Sequence, residues 1–81
     1  MPLFMDVHEG MHVTPQQIAD AHKKDIEAQK GTGVEYMRYW LDSRAGKVFC
    51  LAKGPTKEAV ADVHRKAGHP ATELYEVSEG S

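Results

Sequence analysis

Six segments in the order strand, helix, strand, strand, helix, strand predict an α+β fold. The expected form is a ferredoxin-like βαββαβ sandwich, an antiparallel sheet with two helices on one face. Three observations carry this expectation. Cap residues mark two helix starts, apolar alternation at period two marks the strands, and a glycine stands between each pair of successive segments.

Leu3 to His8 is the first strand, with Leu3, Met5 and Val7 on one face and Phe4, Asp6 and His8 on the other. Gly10 breaks it. Thr14 then serves as an N-cap, Pro15 sits at N1 and Gln17 at N3 closes a capping box, with Val13 and Ile18 placed as a hydrophobic staple. That helix extends to about Lys30, where Gly31 supplies a left-handed stop. Residues 34–42 (VEYMRYWLD) are rich in aromatic and β-favouring side chains and read as the second strand. A turn at Ser43-Arg44-Ala45-Gly46 leads into KVFCLAK, the third. Gly54-Pro55 opens a second helix over residues 56–67, ended by Gly68, and Glu73–Val77 is the last strand. One domain spans residues 1–81, with 78–81 expected to fray.

A short echo supports two related halves: Ala19-Asp20-Ala21-His22-Lys23-Lys24 in the first helix and Ala61-Asp62-Val63-His64-Arg65-Lys66 in the second. Strict alternation puts Met37, Tyr39 and Leu41 on one side of the second strand and Val34, Tyr36 and Trp40 on the other. Apolar side chains on both faces imply an open sheet face too greasy for a monomer. A homodimer forming a dimeric α+β barrel is expected.

Ten basic and twelve acidic residues are interspersed for a net charge of −2, so no basic stripe points to nucleic acid. No apolar run approaches a membrane span, and the first residues lack a basic signal-peptide region. The lone Cys50 excludes an internal disulfide and suits a reducing cytoplasm. No C-x-x-C, H-E-x-x-H, P-loop or dinucleotide-binding glycine motif is present.

Histidine is the unusual component, five residues at 8, 12, 22, 64 and 69. It is the commonest metal ligand. The octet MDVHEGMH holds Asp6, His8, Glu9 and His12. If Leu3, Met5 and Val7 meet the helices, Asp6 and His8 point into the sheet-to-sheet interface and need a partner there: a metal, Arg38 or water. Glu9 and His12 read as exposed loop residues. His22 and His64 lie on the apolar stripes of their helices, where each is a hydrogen-bonded core histidine or a ligand aimed at a common region. Asp25, three residues after His22, is a co-ligand, an outer orienter or a surface charge. His69 follows Gly68 in a His-Pro step and reads as exposed. Cys50, in an apolar strand, is a small hydrophobe or a thiolate ligand. The metal candidates are thus His8, His12, His22, His64, His69, Asp6, Asp25 and Cys50. Imidazole with carboxylate and thiolate suits nickel, zinc or copper better than magnesium or calcium.

Nearly all of residues 1–77 resembles a family of small bacterial nickel-binding proteins with a dimeric ferredoxin-like fold. The likeness rests on MDVHEGM at the start, AHKKD in the first helix, RYW, GKVFCL, VHRKA in the second helix and the closing YEV. It implies a non-enzymatic cytoplasmic homodimer that takes up Ni²⁺ for sequestration or detoxification, other divalent transition metals being alternatives. It also implies ions near the surface, which favours His12, His69 and Glu9 over a buried Cys50. Two rival readings stand beside it. One is a dimeric enzyme or small-ligand binder with a pocket at Asp6, His8, Tyr36, Arg38, Trp40 and Cys50, His8 acting as general base. The other is a ligand-free dimer whose histidines serve packing.

Overall fold

The computed structural model describes residues 2–10 and 13–80. Its elements are β1 (Leu3–His8), α1 (Pro15–Ala28), β2 (Glu35–Asp42), β3 (Lys47–Lys53), α2 (Lys57–Lys66) and β4 (Glu73–Val77). The four strands form one antiparallel sheet in the order β2-β3-β1-β4, which places β1 and β3 at its centre. The ferredoxin-like expectation holds. Both helices pack on the same sheet face, since Ile18 of α1 and Val60 and Val63 of α2 join Phe4, Tyr36, Val48, Cys50 and Ala52 in one core.

The expected cap chemistry is present. Thr14 Oγ1 accepts from the Gln17 backbone N–H while Gln17 Oε1 accepts from the Thr14 N–H, satisfying two donors at the start of α1. At the far end of α2, Gly68 takes φ +91°. Its N–H donates to the Arg65 carbonyl and the His69 N–H to the His64 carbonyl. That pairing is a Schellman stop, and it folds His69 back over the helix end.

Two placements differ from the alternation read off the sequence. In β1 the row facing the helices is Phe4, Asp6 and His8, all buried, whereas Leu3 and Met5 lie on the open face. The apolar row is therefore the outward one. Polar Asp6 and His8 turn inward because His64 of α2 meets both of them there and the Tyr36 hydroxyl of β2 donates to Asp6. In β2 the register slips between Tyr36 and Arg38: Tyr36 pairs with Ala52 and Arg38 with Leu51, leaving Met37 as an extra residue. This bulge inverts the alternation beyond it. Tyr36, Tyr39 and Leu41 pack against the core, while Arg38 and Trp40 reach the open face.

Leu3, Met5, Met37, Arg38, Trp40, Leu51 and Val77 line a broad groove of about 460 Å³ on that open face. The chain must also pass closely where β3 hands over to α2. A Cβ at Gly54 would lie 2.8 Å from Val60 Cγ2 and 3.4 Å from Val34 Cγ2, so only glycine lets the helix seat at this depth.

Candidate metal centre

Between sheet and helices lies a cluster of polar side chains in an otherwise apolar layer. In α2, Val60, Val63 and His64 share one buried stripe, and the i, i+4 spacing puts His64 beside Val60 over β1. The imidazole is 1% exposed and held at both nitrogens. Nε2 lies 2.7 Å from Asp6 Oδ2 and Nδ1 lies 2.8 Å from Asp25 Oδ1. Asp6 is 0% exposed and Asp25 2%, so this is a buried carboxylate–imidazole–carboxylate chain. His69 Nε2 approaches the same Asp25 oxygen at 2.8 Å. The Tyr36 hydroxyl shares its proton between Asp6 Oδ2 at 3.1 Å and the Val60 carbonyl at 3.2 Å.

The electrostatics follow from this geometry. Burial pushes the Asp6 carboxyl up, yet the hydrogen bond from His64 and the nearby charge of His64 and His8 outweigh it and hold it below the usual carboxylate range. Asp25 behaves alike, with burial opposed by His64 and His69. Burial pushes the His64 imidazolium down, and its bonds to Asp25 and Asp6 overcome this and lift it to about 9. Two carboxylates thus face one imidazolium, and the buried trio carries a single negative charge. Burial raises the Cys50 thiol and the Tyr36 phenol well above their ordinary values, with Asp6 adding to both, so each is neutral.

Two overlapping donor sets emerge. Asp6, His8, Cys50 and His64 are all buried, and Asp25, His64 and His69 form the second set. In each, one donor atom per residue lies within 4.8 Å of the others. His8 Nε2 sits 3.3 Å from His64 Nε2 and 3.2 Å from Asp6 Oδ1. The latter approach is out of line, so Asp6 Oδ1 remains a buried oxygen with no hydrogen-bond partner. An orphaned buried carboxylate oxygen is costly. Donors around an ion bound at about 2.1 Å stand roughly 3.0–3.4 Å apart, and the two separations from His8 Nε2 fall in that range. The donor set fits a borderline transition ion, and its mixture of nitrogen, oxygen and sulfur argues against a hard cation.

The structure distributes the sequence candidates unevenly. Asp6, His8, Cys50 and His64 come together, and so do Asp25 and His69. His69, read as exposed, is half-buried because the Schellman turn carries it to Asp25. Asp25 was paired by spacing with His22 but instead serves the α2 histidine. His22 belongs to neither donor set, its ring standing 4.8 Å from that of Tyr39. His12 lies outside the described residues. Glu9 is exposed, with Lys47 at 3.7 Å. Arg38 is no partner of Asp6, because the bulge puts it on the opposite face. The same bulge breaks up the six-residue pocket, with Asp6, His8, Tyr36 and Cys50 inside and Arg38 and Trp40 outside. Sequence reading left Tyr36 out of the centre as a hydrogen-bond donor. Its signal was a tyrosine at a core position, since a buried phenol usually finds an acceptor.

Fold and centre together define a small ferredoxin-like protein with a buried nitrogen, oxygen and sulfur donor cluster. The family model described as "Nickel responsive protein SCO4226-like" matches residues 4–77, and the chain belongs to that family. It is also similar to a solved structure, that of SCO4226 from Streptomyces coelicolor A3(2). The two share 42% identity with a TM-score of 0.93, over 98% of this chain and 99% of that one. No curated protein sequence matches the chain significantly. Among the described residues, no helix is long and apolar enough to cross a membrane.

Proposed function

We propose that this protein is a non-enzymatic homodimer that binds Ni²⁺ at Asp6, His8, Cys50 and His64 and keeps the ion out of solution. The observation that carries the reading is Asp6 Oδ1, a carboxylate oxygen buried without a hydrogen bond among nitrogen and sulfur donors. The family's description as nickel responsive supports nickel over its neighbours in the transition series. Asp25 holds the Nδ1–H of His64 and so fixes the tautomer and tilt of the ring that offers Nε2 to the ion. Binding at Nε2 displaces the proton now shared with Asp6, and a bound thiolate requires Cys50 to lose its own. Neutral Cys50 and Tyr36 leave no activated nucleophile in the centre, which favours storage over catalysis. A second copy covering the groove around Leu3, Met5, Trp40 and Leu51 completes the dimer.

Calorimetric titration of untagged protein with Ni²⁺, repeated in buffers of different protonation enthalpy, tests this. Saturable binding with roughly two protons released per ion is expected. Cys50→Ser should abolish the thiolate charge-transfer absorbance, and His8→Ala should weaken binding without unfolding the protein. Absence of saturable heat, with no anomalous peak beside Asp6 and His64 in nickel-soaked crystals, overturns the assignment. Light scattering tests the dimer, which Leu51→Glu should dissociate.

A further inference from the structure

The sheet face turned away from the helices carries a charge pattern of its own. Among the described residues, the three large apolar or aromatic side chains left exposed are Met37, Trp40 and Tyr75, at 41%, 48% and 48%. All three lie on this face: Met37 and Trp40 line its groove, and Tyr75 pairs with Met5, which lines it too. The bulge is what sets Met37, Arg38 and Trp40 on one side together. Strand pairing orders the face in rows across the sheet. Arg38, Leu51, Met5 and Tyr75 form one row, and Trp40, Phe49, Val7 and Glu73 form the next. Apolar residues hold the middle of each. A cation stands at the β2 edge of the first row and an anion at the β4 edge of the second.

Neither charge is satisfied within the chain. Glu35 is paired with Lys53 and Glu9 with Lys47, each at 3.7 Å. Asp42 is taken up by the hairpin, where it accepts from the Arg44 and Ala45 N–H groups. Among the described residues no carboxylate lies within ion-pair distance of Arg38, and no cation within that distance of Glu73. A second copy covering this face would bury a guanidinium that has no counter-charge of its own, which is costly. The counter-charge has to come from that copy.

We infer that the twofold axis of the dimer runs along the strands, laying β2 of each copy across β4 of the other and seating Arg38 between Tyr75 and Glu73 of the partner subunit. The inference rests on the proposed dimer and is independent of the metal centre. Two aligned sheets packed face to face are related by a twofold either along the strands or across them. An axis across the strands stacks each strand on its own copy. Each register near the centre of the face then opposes like charges: Arg38 on Arg38, Glu35 on Asp42, or Glu73 on Glu73. An axis along the strands sets the first row against its own reverse, Leu51 on Met5 and Arg38 on Tyr75. Glu73 then lies one step further along β4. That step is two residues, about 6.8 Å, and the long arginine side chain spans it. The guanidinium can rest on the tyrosine ring while bonding the carboxylate. The molecule measures 32 × 30 × 19 Å, and a face of its broad outline supplies the roughly 800 Å² per partner of a standard interface.

Sedimentation equilibrium of the full chain in metal-free buffer tests the pairing. Arg38→Glu and Glu73→Arg should each weaken the dimer by at least about thirtyfold, the scale for breaking a hydrogen-bonded charge pair in an interface. Joined in one chain they rebuild the pair with its signs exchanged. The dissociation constant should then return to within about tenfold of wild type. Tyr75→Leu, which keeps an apolar side chain and removes the ring, should weaken the dimer by about threefold. Glu79→Gln, at the tail carboxylate that also lines the groove, should leave it unchanged. Where a charge reversal disturbs folding, as circular dichroism would show, Arg38→Gln and Glu73→Gln give the same reading with smaller losses. A wild-type dimer indifferent to the Arg38 and Glu73 variants overturns the inference. So does a double variant no tighter than its parents, because the two residues then act apart. Weakening by Glu79→Gln overturns it as well, by giving Arg38 a different partner. A wild type that stays monomeric defeats the proposed dimer instead, and the same sedimentation run separates the two failures.

Discussion

The two helices carry the same six-residue echo, yet its histidines have opposite fates. His64 is clamped between two carboxylates at the centre of the molecule. His22, at the matching place in α1, has one buried nitrogen with nothing to bond and a tyrosine ring for company. The sequences around them scarcely differ; the surroundings do. α2 crosses over the row of β1 that ends in Asp6 and His8, whereas the buried edge of α1 runs through Ile18 and Asp25 and leaves His22 to one side. A repeated motif thus specifies a helix and an imidazole, and the sheet beneath decides whether that imidazole is an anchor or an idle donor.

The contrast can be broken most forcefully at His64. His64→Ala should lower the unfolding free energy in urea by about 3–5 kcal/mol, because it strands Asp6 and Asp25 as buried carboxylates without their counter-charge. Nickel uptake should vanish with it. Asp25→Asn comes next. It keeps the donors at Asp6, His8 and Cys50 but frees the His64 ring, so calorimetry should show affinity lowered by about 10–100-fold at unchanged stoichiometry.

Acidity sharpens the comparison further. The raised His64 value stabilises the ion-free fold fully below the ordinary 6.5, and this stabilisation is lost as pH climbs through about 9. Asp6 and Asp25, held low, add stability above the ordinary 3.8 that disappears as pH falls through their depressed values. Ion-free protein should therefore melt highest between about pH 4.5 and 6.5. Nickel affinity should move the other way, rising up to roughly a hundredfold per pH unit towards 9, as binding displaces one proton from His64 Nε2 and one from the Cys50 thiol. Melting curves and titrations across that range check both signs, and His22→Ala should leave the two profiles in place. The smallest effect belongs to His22 itself: its alanine variant should shift unfolding by less than about 1 kcal/mol in the same urea experiment, since no hydrogen bond is lost.

Much of the fold was legible, and for physical reasons. Cap residues, left-handed glycines and alternation act over a few residues, so Thr14, Gln17, Gly31 and Gly68 announce their elements without help from elsewhere. The face of β1 was not legible. Leu3, Met5 and Val7 form a tidy apolar row that pattern alone turns inward, and only the arrival of His64 from a distant helix makes the opposite face habitable for Asp6 and His8. Nor could alternation foresee the slip at Met37, which moved Trp40 and Arg38 across the sheet and removed the one pocket proposed for a small ligand. The Asp25–His64 pair lies far apart in sequence, and helical spacing pointed instead to His22, the nearer but wrong imidazole. His8, Cys50 and His64 were all named from their chemistry. Their convergence had to be seen.

Gly54 bears on all of this without touching an ion. Because a single hydrogen occupies the space where a methyl would collide with Val60, the second helix rests low enough for its imidazole to reach the carboxylate beneath. Lengthening that residue by one carbon would jack up the whole helical rod, stretching the gap between His64 and the Asp6 carboxylate. The reach of that buried pair is set by an atom that is missing.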